Sequence, residues 1–105
     1  MTKGSYYKYK TKKWFTNDGY VCEYLEKNQR IYIKGRVIFI KRDLFGADGL
    51  AMNDKQIIFW QCKLNEKNIS SAIKEFKKFP FPIFVDRWIV VWKPRVRQPE
   101  IIEID

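Results

Sequence analysis

"DLFGADGLAMNDKQIIFWQCK" runs from Asp43 to Lys63 and decides how the chain is read. "GLAM" and "QIIFWQCK" flank "NDK", a turn-forming stretch, so the segment predicts a β-hairpin. Strand geometry then sorts its residues. Leu50 and Met52 lie on the side of Asp48, while Gln61 and Lys63 share a face opposite Trp60 and Cys62. A short hairpin can therefore bring an acid, an amide oxygen and an ammonium together at its open end.

Working outward, residues 5–17 predict a helix, with Tyr7 and Trp14 near helical spacing and Gly19 just past the end. "YVCEYLE" (20–26) is rich in β-formers and reads as a strand, although Val21, Tyr24 and Leu25 also suit a helix. "RIYIKGRVIFIKRDLF" (30–45) alternates on both sides of Gly35 and reads as a bent or interrupted strand ending near Arg42. "NISSAIKEFKKF" predicts a second helix, capped by Asn68 or Ser70, with Ile69, Ala72, Ile73 and Phe76 as its buried stripe. "FPFP" ends that helix. "IFVDRWIVVWK" reads as a central strand and "EIIEID" as an edge strand. The order is α-β-β-β-α-β with one further strand, an α/β fold with a central mixed sheet flanked by helices. At 105 residues the expectation is a single domain, 1–105.

Composition narrows the function. The net charge is +9, from 21 basic and 12 acidic residues. That excess favours a polyanionic partner, nucleic acid before an acidic membrane surface. The absence of histidine removes His-dependent nucleases, Ser-His and Cys-His hydrolases and His-ligated zinc. Cys22 and Cys62 are too few for a four-thiolate zinc site, and a reduced, intracellular, cytoplasmic setting is the simpler reading. No apolar run approaches the roughly 20 residues that span a bilayer, and "MTKGSYYKYKTKKW" lacks the apolar segment of a secretory signal. No membrane association is expected.

A carboxylate with carbonyl-type oxygens suits Mg²⁺, a hard cation. Such an ion polarises a phosphate and lowers the pKa of water, and a nearby lysine stabilises developing negative charge. The pattern of "AD" at Ala47-Asp48 and "QCK" at Gln61-Cys62-Lys63 resembles the PD-(D/E)XK nuclease superfamily. It looks closest to the Gln-x-Lys branch of Mrr-type endonucleases. "DLFGAD" also looks like a pattern in small phage and archaeal-virus nucleases and Holliday junction resolvases.

The resemblance implies a restriction-endonuclease-like αβββαβ core and a Mg²⁺- or Mn²⁺-dependent DNA endonuclease of viral or prokaryotic origin. It makes Asp48 the principal metal ligand, puts Gln61 where an acid usually stands, and makes Lys63 the catalytic lysine. Glu26 is the additional acid, with Glu23 competing for that role, and Asp43 is a further ligand or a brace for the turn around Gly46. A neutral amide at position 61 leaves Glu26 or Asp43 to supply the missing charge. The small size suggests structure-selective or weakly specific cleavage by a monomer or a homodimer.

Lys12, Lys13, Lys41, Arg42, Arg95 and Arg97 are the expected phosphate contacts. Tyr6, Tyr7 and Tyr9 are candidates for base stacking, whereas Trp60, Trp88 and Trp92 read as core. Two other readings compete. One is a non-catalytic DNA-binding domain on the same fold, and the other a basic module for an acidic protein.

Overall fold

A computed structural model describes residues 3–43, 45–65 and 69–104, with only the backbone described at 3–4, 26–33 and 38–43. Nine elements follow in order. They are α1 (Lys3–Asn17), β1 (Val21–Tyr24), β2 (Glu26–Ile33), β3 (Arg36–Asp43), β4 (Gly49–Met52), β5 (Ile57–Leu64), α2 (Ile69–Lys77), β6 (Asp86–Trp92) and β7 (Glu100–Ile104). Taken without β2, β3 and β7, this is an αβββαβ core.

Five strands form one mixed sheet in the order β1-β4-β5-β6-β7. Only β5 and β6 run parallel. A parallel pair needs a long crossover, and α2 supplies it. Strand alternation sends Ile58, Trp60, Val90 and Trp92 into one cluster with Phe15 of α1. It sends Ile89 and Val91 into another with Ala72 and Phe76 of α2. The helices therefore cover opposite faces of the sheet.

The stripe expected on the second helix is observed, with Ala72 and Phe76 buried and Ile69 and Ile73 packed beside them. Ser70 lies inside that helix, so it does not cap it, and Asn68 falls outside the described residues. The first helix ends in a Schellman arrangement, Tyr20 N–H donating to Phe15 O at 3.0 Å and Gly19 N–H to Thr16 O at 3.1 Å. Its buried stripe includes Thr11 and Phe15, each fully buried. The Thr11 hydroxyl oxygen accepts from Trp92 Nε1 at 2.7 Å. The three tryptophans expected in the core pack there, with Trp60 and Trp92 buried and Trp88 against them.

One expectation is corrected. The stretch around Gly35 is not a bent or interrupted strand but a hairpin of its own, β2 paired with β3 from Glu26↔Asp43 to Ile33↔Arg36. The two residues at its tip, Lys34 and Gly35, have φ of 49° and 77°. Two consecutive left-handed residues make the type I′ turn that folds a chain back on itself. Alternation alone looks the same in one strand broken by glycine and in two strands meeting at a turn.

Candidate active site at a fork in the sheet

The β4–β5 ladder runs from Met52↔Ile57 to Gly49↔Trp60. A Cβ at Gly49 would overlap the Trp60 indole and stand 2.8 Å from Glu23 O. Glycine thus lets the strand close tightly over the tryptophan. Beyond it, Asp48 N–H donates to Trp60 O, and Leu25 N–H donates to Asp48 O, each at 2.9 Å. The two strands then diverge. At that fork Asp48 Oδ2 accepts the Cys62 N–H at 2.8 Å, taking the place of the next ladder bond. Asp48 is 3% exposed and is held by β1, β4 and β5 together. Its other oxygen, Oδ1, lies 3.7 Å from Lys8 Nζ of α1.

Gln61 precedes the residue that holds Asp48. It is 8% exposed, and its Oε1 has no hydrogen-bond partner among the described residues. An orphaned buried carbonyl oxygen costs about 1–3 kcal/mol and calls for a partner such as a water or an ion. Lys63 is half-buried two residues further on, on the same side of the strand as Gln61.

Glu26 and Asp43 stand directly opposite each other in the β2–β3 register. Glu26 follows Leu25, whose N–H is bound to Asp48. The backbone thus gathers the positions of Asp48, Gln61, Glu26 and Asp43 around one fork. Glu23 is turned elsewhere, exposed and 3.6 Å from Lys12 Nζ.

Of the cations expected to meet phosphate, Lys12 and Lys13 lie on α1. Lys41 and Arg42 are register partners of Asn28 and Lys27 in the hairpin. Arg95 and Arg97 are exposed in the loop before β7. Trp14 Nε1 ties that loop to α1 by donating to Gln98 Oε1 at 2.8 Å. Tyr6 and Tyr9 are 47% and 51% exposed, while Tyr7 packs against Trp92. Burial pushes the thiols of Cys22 and Cys62 up to about 11 each, so neither carries a thiolate near neutral pH. Both are free.

Sequence reasoning missed Lys8 as a site residue. The signal was available, because Lys8 lies one turn before Thr11 and Lys12 on the helix face that meets the sheet. It also missed an aromatic surface. Phe45, Phe59, Phe79, Pro80, Phe81 and Pro82 line a groove of about 290 Å³, beside Ile83 and Phe84 at 95% and 76% exposed.

A divalent cation fits this donor set. The orphaned Gln61 Oε1, the Asp48 carboxylate and the acid pair at the hairpin base are all oxygen donors suited to a hard ion. Among the described residues no group of three or more acids, cysteines or histidines could hold a metal. No helix among the described residues is long and apolar enough to cross a membrane.

No protein-family model matches the sequence, and no curated protein matches it. Among solved structures, the chain is similar to Archaeoglobus fulgidus Hjc, a Holliday junction resolvase from an archaeal hyperthermophile. The TM-score is 0.59 at 12% identity, covering 98% of this chain and 72% of that one. It also matches SSO0001, with a TM-score of 0.49 at 18% identity, over 89% of this chain and 46% of that one. The likeness to Hjc establishes a shared α/β fold, a mixed five-stranded sheet with two helices.

Proposed function

We propose that the chain is a metal-dependent DNA endonuclease of the PD-(D/E)XK kind in its Gln-x-Lys form. On this reading it cuts junctions, flaps or ends. The observation that carries the reading is the fork itself, a buried carboxylate held by Cys62 N–H, with an orphaned buried amide oxygen on the preceding residue, Gln61, on an αβββαβ core. Asp48 and Gln61, with Glu26 and Asp43, would hold Mg²⁺ or Mn²⁺. When bound, the ion would polarise the scissile phosphate and lower the pKa of water. Lys63 stabilises the negative charge that develops on the phosphate. Asp48 is fixed in place by Cys62 N–H, so little reorganisation is needed there. Lys12, Lys13, Lys41, Arg42, Arg95 and Arg97 hold the DNA backbone. Incubation with labelled four-way, flapped and linear DNA under Mg²⁺ or Mn²⁺ titration should give cleavage of at least one substrate.

Lys8 favours a second reading. Its ammonium beside Asp48 and the neutral Gln61 make this fork poorer in negative charge than one with two paired acids. The alternative is a non-catalytic DNA-binding domain, which predicts salt-sensitive binding without cleavage of any substrate. Lys8 also yields a quantitative expectation. If it competes with the cation for Asp48, Lys8→Gln should tighten Mn²⁺ binding by roughly tenfold, about 1.4 kcal/mol. Titration followed by the paramagnetic resonance of free Mn²⁺ reads this without DNA. Unchanged affinity would show that Lys8 is no competitor.

A second copy of this chain is the occupant we assign to the aromatic surface. The exposed Ile83 and Phe84 would meet the apolar groove of the other copy in a two-fold contact. One chain carries one fork, and resolving a junction by paired cuts would need two. Phe84→Ser should convert a dimer to a monomer in light scattering after gel filtration. A wild-type chain that stays monomeric at high concentration would refute the assignment.

A further inference from the structure

Tyr9, Lys12, Lys13, Thr16 and Tyr24 line an open cleft of about 320 Å³ between α1 and the edge of the sheet. It adjoins the fork along two routes. On the sheet, Tyr24 pairs with Gly49, the neighbour of Asp48. On the helix, Lys12 stands one turn beyond Lys8, which reaches Asp48. Tyr9 is 51% exposed and Tyr24 40%. Lys12 Nζ sits 5.0 Å from the centre of the Tyr24 ring and 3.6 Å from Glu23, so that ring is already covered by a cation. The uncovered aromatic surface belongs to Tyr9, and the exposed ammonium beside it to Lys13.

An exposed tyrosine flanked by lysines on a chain of net charge +9 suits a nucleobase joined to a phosphate. The ring offers a face for stacking whatever the base, and the ammonium groups meet the backbone. Duplex DNA keeps its bases stacked on one another and cannot use such a ring. We infer that this cleft holds an unpaired nucleotide next to the phosphate at the fork, with Tyr9 as the stacking platform and Lys13 on the backbone. The site would then prefer DNA with a single-stranded segment beside the cut, such as a flap, over fully paired duplex. This rests on the nuclease reading for the role of the fork, but the binding itself can be measured without cleavage.

The test uses flapped DNA carrying 2-aminopurine at the unpaired position nearest the branch, with wild-type chain and the variants Tyr9→Ala and Lys13→Gln, in EDTA. Wild-type chain should quench the 2-aminopurine fluorescence. Tyr9→Ala should abolish the quenching and weaken binding of flapped DNA by about tenfold, with fully paired duplex bound as before. Lys13→Gln should keep the quenching and flatten the dependence of binding on salt by close to one ion. Equal loss for flapped and paired DNA, or quenching that survives Tyr9→Ala, would overturn the inference while leaving the nuclease reading intact. A wild-type chain that binds neither DNA would overturn both. Tyr9 is exposed, so its variant should match wild type in melting temperature, which separates lost stacking from lost fold.

Discussion

Asp48→Asn is expected to abolish metal-dependent cleavage while leaving the fold in place. Asparagine keeps a side-chain oxygen that can accept the Cys62 N–H, now taken by Oδ2 at 2.8 Å. It removes the charge and turns the oxygen facing Lys8 into an amide N–H donor. On the proposed reading a cation at the fork would contribute several kcal/mol to transition-state stabilisation, so losing Asp48 as its ligand should slow cleavage by about 10³-fold or more. The ion pair with Lys8, at 3.7 Å and with the Asp48 side chain nearly buried, disappears too, at a cost of about 1–3 kcal/mol. The melting temperature should then fall by roughly 5–20 °C with a cooperative transition kept. Lys63→Ala should show the same loss of cleavage with DNA binding largely kept. Undiminished cleavage by either variant would remove that residue from the site.

Gly49→Ala is expected to be the most damaging conservative change in the described chain. The added methyl would overlap the Trp60 ring and press on Glu23 O at 2.8 Å. Trp60 is fully buried between Phe15 and Tyr24, so the indole has no room to retreat. Overpacking of this kind costs about 3 kcal/mol, a large share of the roughly 5–15 kcal/mol that holds a domain together. A fall in melting temperature of roughly 12 °C or more, or failure to accumulate folded protein, is the expected result. A Gly49→Ala chain as stable as wild type would mean that β1, β4 and β5 are spaced more widely than described. The same glycine places Asp48, so a folded survivor should also lose cleavage.

Much of this was legible in the sequence because short-range rules governed it. The turn residues and alternation of 49–64 specify the β4–β5 hairpin, and the helical stripe from Ile69 to Phe76 specifies which face of α2 is buried. The parity of Gln61, Cys62 and Lys63 follows from the strand period alone. Two features were not legible, for different physical reasons. The type I′ turn at Lys34-Gly35 depends on a non-glycine residue adopting positive φ, which composition does not announce. The approach of Lys8 to Asp48 joins residues 40 apart in sequence, and only the packing of α1 on the sheet creates it. The different settings of Glu23 and Glu26 also arise only in the tertiary structure. Glu23 is drawn to Lys12 on α1, while Glu26 begins a hairpin whose register places it opposite Asp43.

The exposed aromatic run at 79–84 teaches a related lesson. The prolines of "FPFP" predict a helix stop, and α2 does end at Lys77. Its phenylalanines instead line a groove with Phe45 and Phe59. The same residues stop one element and build a surface.

The most direct test of the account is a crystal of the chain grown or soaked with Mn²⁺, read by anomalous scattering. The account predicts a peak at the fork, touching an Asp48 carboxylate oxygen and Gln61 Oε1, with Glu26 or Asp43 completing the set and Lys8 displaced from Asp48. A crystal at saturating Mn²⁺ with no ion at the fork, and Lys8 still against Asp48, would contradict it.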